Sequence, residues 1–154
     1  MNKTCPLLLV SQAGERLKLI ADSYRRLTGR ALIADGSDSE SALWSLPQVV
    51  LAHGTESDPV FFYGNRMALE LFELTPDQIT RMPSRLSAEP LQREAREKLL
   101  QRVAQHGFID DYEGIRVSST GKRFRIKQAT VWNLIDEHGL AHGQAATFGE
   151  WEIL

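Results

Sequence analysis

The side chains able to do chemistry gather in four places. His53, Glu56 and Asp58 crowd one turn, HGTESDP. A zinc site needs several N or O ligands converging at about 2.0–2.2 Å. The H-x-x-E-x-D spacing matches no compact metal motif, and turn carboxylates ordinarily face water, so no metal is expected. The loop PSRLSAEP brings Ser84, Arg85, Ser87 and Glu89 together. Arg85 offers a planar donor fork suited to carboxylate or phosphate; alternatively it pairs with Glu89 and pins the loop. In RFRIKQATVWNLID, strict alternation puts Phe124, Ile126, Gln128, Thr130, Trp132 and Leu134 on one face, with Arg123, Arg125 and Lys127 on the other. Gln128 and Thr130 would then point inward and need partners, either Tyr112 or Arg85 within the protein, or a ligand. Trp132 would add a flat apolar wall with one N–H donor. Finally, Asn65 follows an apolar run and precedes an amphipathic one, where it either caps a helix or touches a ligand.

No catalytic residue is expected. No Gly-x-Ser-x-Gly elbow occurs, the four histidines sit at turns or helix ends without a supporting motif, and Asp110-Asp111 would point to opposite faces of a strand. The formal charge is −2 and the pI about 6.1, so no basic field points to nucleic acid or anionic lipid. Cys5 is the single cysteine, which excludes an internal disulfide; near a terminus expected to be mobile, it suits a reducing compartment. The opening MNKTCPLLLV is too short for a secretory signal, and no apolar stretch is long enough to cross a bilayer. A cytoplasmic location is expected.

These residues must be positioned by a mixed set of elements. GERLKLIADSYRRLTG sets Leu17, Ile20, Ala21, Tyr24 and Leu27 on one helical stripe, with Gly29 just after it. A short helix is predicted over Glu40–Leu46, stopping before Pro47. QVVLAHG and DPVFFYG read as an antiparallel strand pair. Behind Asn65, the residues Ala68, Leu71 and Phe72 face inward at helical spacing. Thr75-Pro76-Asp77-Gln78 opens a second helix with a capping box. Residues 81–90 read as an irregular loop. A longer helix, Leu91–His106, is predicted to bury Leu91, Ala95, Leu99 and Val103 and to end at Gly107. Three strands follow, Phe108–Ser118, the long run from Arg123, and Ala141–Trp151, joined by turns at 119–122 and 136–139. The class is α+β, helices laid on one antiparallel sheet, with an N-terminal helical extension over 1–47 and the main domain over 48–154.

DPVFFYGNRMALELFELTPDQI resembles the opening of PAS domains, and the order of elements over Gln48–Trp151 resembles that fold. HGTESDP, PSRLSAEP, IDDYEGIRVSSTGKRF, ATVWNLIDEHG and HGQAATF together resemble the MEKHLA domain, a PAS-related family. The resemblance implies a five-stranded antiparallel sheet with helices on one face, an added N-terminal amphipathic helix, and a sensory or protein-interaction role. It implies no catalytic residues. Some PAS proteins bind haem through a histidine near the position of His106, but a histidine in a last helical turn is already favoured by the helix dipole. A flavin with a reactive cysteine finds only Cys5, outside the PAS-like region. No cofactor is therefore expected, and haem and flavin are disfavoured. The expected ligand site is a cleft lined by Asn65, Ser84, Arg85, Tyr112, Gln128, Thr130 and Trp132. Occupancy would shift the strand carrying Trp132, the Leu17–Leu27 helix would carry the change outward, and a separate signalling partner would receive it. A homodimer through the N-terminal helix is expected. The alternatives are an interaction domain with a filled core and, with least support, a small enzyme on the same scaffold.

Overall fold

The computed structural model describes residues 4–154, and at positions 90 and 91 the backbone only. The expected burial of Leu91 therefore lies outside the described side chains. Two helices open the fold, α1 (Leu7–Ala13) and α2 (Arg16–Thr28). Helix α1 was not foreseen: its apolar run is short, but Leu9 and Ala13 are buried, and Cys5 beside it joins the core instead of lying at a loose terminus. In α2 the buried residues are Leu17, Ile20, Ala21, Ser23 and Tyr24. Gly29 ends the helix in the left-handed region (φ 74°), its N–H donating to Arg25 O. Helix α3 (Ser39–Ser45) is capped by Asp38.

Strands β1 (Val49–His53) and β2 (Phe61–Gly64) pair antiparallel. Helix α4 (Arg66–Phe72) starts one residue after β2 because Asn65 turns the chain. Its buried side chain accepts from Ala68 N–H (3.1 Å) and Val50 N–H (3.1 Å) and donates to Leu43 O (3.0 Å) and Gln48 O (2.8 Å). Helix α5 (Pro76–Ile79) carries the expected Thr75–Gln78 capping box. A 3-10 turn, Ser84–Ser87, leads into α6 (Pro90–His106). Helix α6 buries Leu99 and Val103 as its spacing requires, but Ala95 is exposed and Arg96 takes the buried place.

The remaining strands are β3 (Phe108–Val117), β4 (Arg123–Ile135), β5 (Ala141–Phe148) and β6 (Glu150–Ile153). The sheet runs β2-β1-β5-β4-β3, with β6 pairing the first part of β4. The single final strand expected over Ala141–Trp151 is thus broken at Gly149. Helix α6 packs on one face of the sheet through Leu99, Val103 and Val131. Helix α2 covers the other: Trp132 Nε1–H donates to Ile20 O (3.2 Å) and Trp132 meets Tyr24 edge-on at 5.0 Å.

The alternation expected along β4 breaks at Gln128. This residue is left-handed (φ 52°) and exposed, so the strand carries one extra residue there and its two halves are out of phase. Ile126 and Val131, an odd number apart, both face α6, whereas Trp132 faces α2. Thr130, whose cross-strand partner is Thr147, lies on the same face as Trp132. A one-residue slip moves every later side chain to the opposite face.

Candidate functional site

Between α6 and the sheet lies a cavity of about 60 Å³. Its apolar wall includes Leu51, Phe61, Phe72, Ile126, Val131 and Phe148. Its polar lining is His53, Ser87, Arg96, Tyr112, Arg116 and Gln144. The elements place these groups by alternation and helical period. His53 ends β1, a strand buried at every residue, and Arg96 lies on the α6 stripe that also carries Leu99 and Val103. Two glycines make room. A Cβ on Gly114 would sit 2.1 Å from the Tyr112 hydroxyl, so the ring can lie across the strand only at a glycine. Gly143 (φ 131°) brings β5 so close to β1 that a Cβ there would sit 1.9 Å from His53 O.

The electrostatics of the cavity are one-sided. Arg96 is 6% and Arg116 8% exposed. Arg96 Nη2–H donates to the buried Ser84 hydroxyl at 2.6 Å. Arg116 donates to Tyr112 OH (3.0 Å) and Ile115 O (2.8 Å). Among the described residues neither forms an ion pair with a carboxylate. Burial, and then the neighbouring Arg116 charge, pull Arg96 down to about 10. Burial, with Arg96 next, lowers His53 to about 4, so its ring is neutral at pH 7. Both ring nitrogens of His53 are buried and reach no partner at good hydrogen-bond geometry among the described residues, although the adjacent Gln144 side chain partly offsets the burial. The neighbouring Gln144 amide N–H groups are spent on Leu100 O (3.0 Å) and Asn133 Oδ1 (3.1 Å).

Of the residues expected to line a cleft, only Tyr112 borders this cavity. Ser84 supports it indirectly through Arg96. Asn65 is fully buried with both ends of its amide satisfied, so it is a structural tie and not a ligand contact. Arg85 is half exposed and pairs with Asp58 (3.1 Å), not with Glu89, which pairs with Arg123 (2.6 Å). Gln128 is exposed, and Thr130 and Trp132 lie on the α2 side, because the bulge reverses the phase of β4. Arg96, Arg116 and Gln144 were missed, and His53 was weighed only as a turn ligand. The legible signal for Arg96 was its i, i+3, i+7 spacing with Leu99 and Val103. Among the described residues no group of three or more His, Cys, Asp or Glu is placed to hold a metal, and no helix is long and apolar enough to cross a membrane.

A family model for the MEKHLA domain matches residues 15–153, a span that takes in α2, the whole sheet and the cavity. The chain belongs to the MEKHLA domain family. This MEKHLA chain is 28% identical over 148 residues to the homeobox-leucine zipper protein ATHB-9 of Arabidopsis thaliana, covering 90% of the chain and 17% of that protein. It therefore spans less than a fifth of the length of that curated relative. Among solved structures it is similar to a PAS domain from Colwellia psychrerythraea (TM-score 0.60, 12% identity, 73% of this chain and 90% of that one). It is also similar to the PAS domain, in complex with ethanol, of a LuxR-family transcriptional regulator from Burkholderia thailandensis (TM-score 0.57, 19% identity, 77% of this chain and 98% of that one). The MEKHLA fold is PAS-like.

Proposed function

We propose that this MEKHLA domain is a sensory, signal-relaying module in which a small molecule occupies the cavity under α6. The observation that carries the reading is the unmet polarity of that cavity: a buried imidazole with no well-formed hydrogen bond beside two buried guanidinium groups that pair with no carboxylate among the described residues. Buried polar groups in folded proteins ordinarily have partners, and orphaned ones call for an explanation. A PAS domain of similar fold, from Burkholderia thailandensis, is in complex with ethanol, a molecule small enough for a cavity of this size.

Strand β4 is the proposed relay. Val131 lines the cavity, and the next residue, Trp132, is held by α2 through its N–H and the Tyr24 ring. Ser23 fastens the same helix to the end of the strand, exchanging hydrogen bonds with the Ile135 backbone at 3.0 and 2.9 Å. A ligand that shifts β4 thus shifts α2, to the extent that it binds one arrangement better than the other. A separate protein receives the change. Contact with a second copy is proposed at α1, because α2 spends its apolar stripe on its own sheet while Leu7 on α1 is 81% exposed. Sedimentation at micromolar concentration should give a dimer that Leu7→Glu dissociates; a monomeric wild-type protein would remove this contact.

The competing reading, an interaction domain without a ligand, is favoured by the small volume, about 60 Å³. Native mass spectrometry of freshly purified protein, with thermal shifts across a metabolite library, separates the two. A retained mass or a specific shift supports sensing. A clean apo mass with no shift across the library overturns it.

A further inference from the structure

The polar groups of the cavity carry one sign. Arg96 commits one N–H to Ser84, and Arg116 commits two of its five, one to a hydroxyl and one to a carbonyl. These acceptors are neutral, so no full negative charge offsets either guanidinium at close range. Glu97 and Asp58 favour the charged Arg96 only weakly against its burial, and Asp58 is already bonded to Arg85. An unpaired buried charge is among the costlier features a fold can retain. Two neighbouring ones repel each other as well. Each is relieved by the same event, the arrival of an anion between them.

We infer that the cavity takes a small organic acid, its carboxylate bridged by Arg96 and Arg116 and its apolar body laid against Phe72, Ile126 and Phe148. The inference deepens the sensory reading and rests on it. A guanidinium fork matches a planar carboxylate in two parallel hydrogen bonds. The rest of the wall is largely apolar, which suits a carbon chain better than the further oxygens of a phosphate. At about 10–15 Å³ for each water-sized probe, 60 Å³ admits a molecule of only a few non-hydrogen atoms. A short-chain or hydroxy acid is of that size. The neutral His53 ring offers one donor and one acceptor for a hydroxyl on such an acid. Entry is provided by an open groove of about 350 Å³ on the neighbouring surface, which shares His53, Leu100 and Gln144 with the cavity. Those three side chains form the partition a ligand must pass.

The test uses the full chain and matched probes: butyrate and 2-hydroxybutyrate, the neutral isostere butyramide, inorganic phosphate, and octanoate as a size control, by calorimetry and thermal shift. One of the two short acids should bind at least tenfold more tightly than butyramide and than phosphate, and octanoate should be rejected. Arg116→Gln should lower affinity for the acid at least tenfold and lower affinity for butyramide by less, because the amide loses a hydrogen bond but no charge pairing. The wild-type comparison of acid with amide stands even if that variant folds poorly. Equal binding of acid and amide, or a stronger response to phosphate, overturns the carboxylate assignment and leaves a ligand-binding cavity. No response to either short acid, with another mass retained in native spectra, also overturns the assignment alone. No response to any probe, with a clean apo mass, removes the sensory reading too.

Discussion

Replacing Asn65 by alanine tests how the strand-to-helix handover is held. The side chain is fully buried and makes four hydrogen bonds to backbone groups of three elements or their ends. Truncation leaves Val50 N–H, Ala68 N–H and Gln48 O without those partners, and Leu43 O with only a long bond from Leu46 N–H (3.4 Å). A helix cap alone is worth about 1 kcal/mol. Leaving a buried donor or acceptor unmet costs about 1–3 kcal/mol, so the four groups together put the loss at about 4 kcal/mol or more. Domains of this kind are stable by about 5–15 kcal/mol, so the variant should be severely weakened. Asn65→Asp keeps the acceptor but turns a carboxylate oxygen toward Leu43 O and Gln48 O, and should lose at least as much at pH 7. Thr75→Ala, at an exposed capping box, is the control and should cost only about 1 kcal/mol. Urea denaturation followed by tryptophan fluorescence and far-UV circular dichroism gives the three values. If Asn65→Ala costs no more than Thr75→Ala, the residue is only a cap and the reasoning fails.

Two further outcomes are expected. His53 is lowered from 6.5 to about 4 in the fold, so above pH 6.5 it is neutral in both folded and unfolded states and contributes no pH dependence. As pH falls from 6.5 toward 4 the unfolded chain takes up the proton and the fold does not, which removes about 3 kcal/mol of stability by the lower end. His53→Gln should flatten the difference between denaturation at pH 7 and at about pH 4.5, and a drop as steep as in wild type would contradict this account. At Gln128, valine should cost at least about 1 kcal/mol because a β-branched side chain is strained in the left-handed region, whereas glycine should stay within about 0.5 kcal/mol of wild type. Equal stability of the two variants would show that the bulge is absent in solution.

Most of the framework was legible because it is written in local signals. The α2 stripe, the Asn65 and Thr75 caps, and Gly29 and Gly107 as helix ends depend on neighbours a few residues away. The bulge was overlooked because no glycine marks position 128, although the apolar alternation of Phe124 and Ile126 does break at Gln128 and Thr130. That one slip displaced three residues of the expected cleft. The true lining was hidden for a different reason. Arg116 looks like a solvent-facing charge along the chain, and the charge of Arg96 masks its place on the Leu99 and Val103 stripe; what buries both is packing against strands and a helix distant in sequence. Short-range pattern assigns an arginine to water, and only tertiary packing reverses the assignment.

The rims of the sheet have a consequence of their own. The free side of β2 is occupied by its own chain, with Phe61 N–H bonded to Met82 O (3.1 Å) and Ser84 N–H to Pro59 O (2.8 Å). The free side of β3 carries exposed Asp110, Asp111 and Glu113, and its register slips twice. Strand β6 is only four residues long. Stitching one molecule to the next, backbone to backbone, needs a long flat margin. None of these three margins supplies one, which guards the protein against fibrous growth.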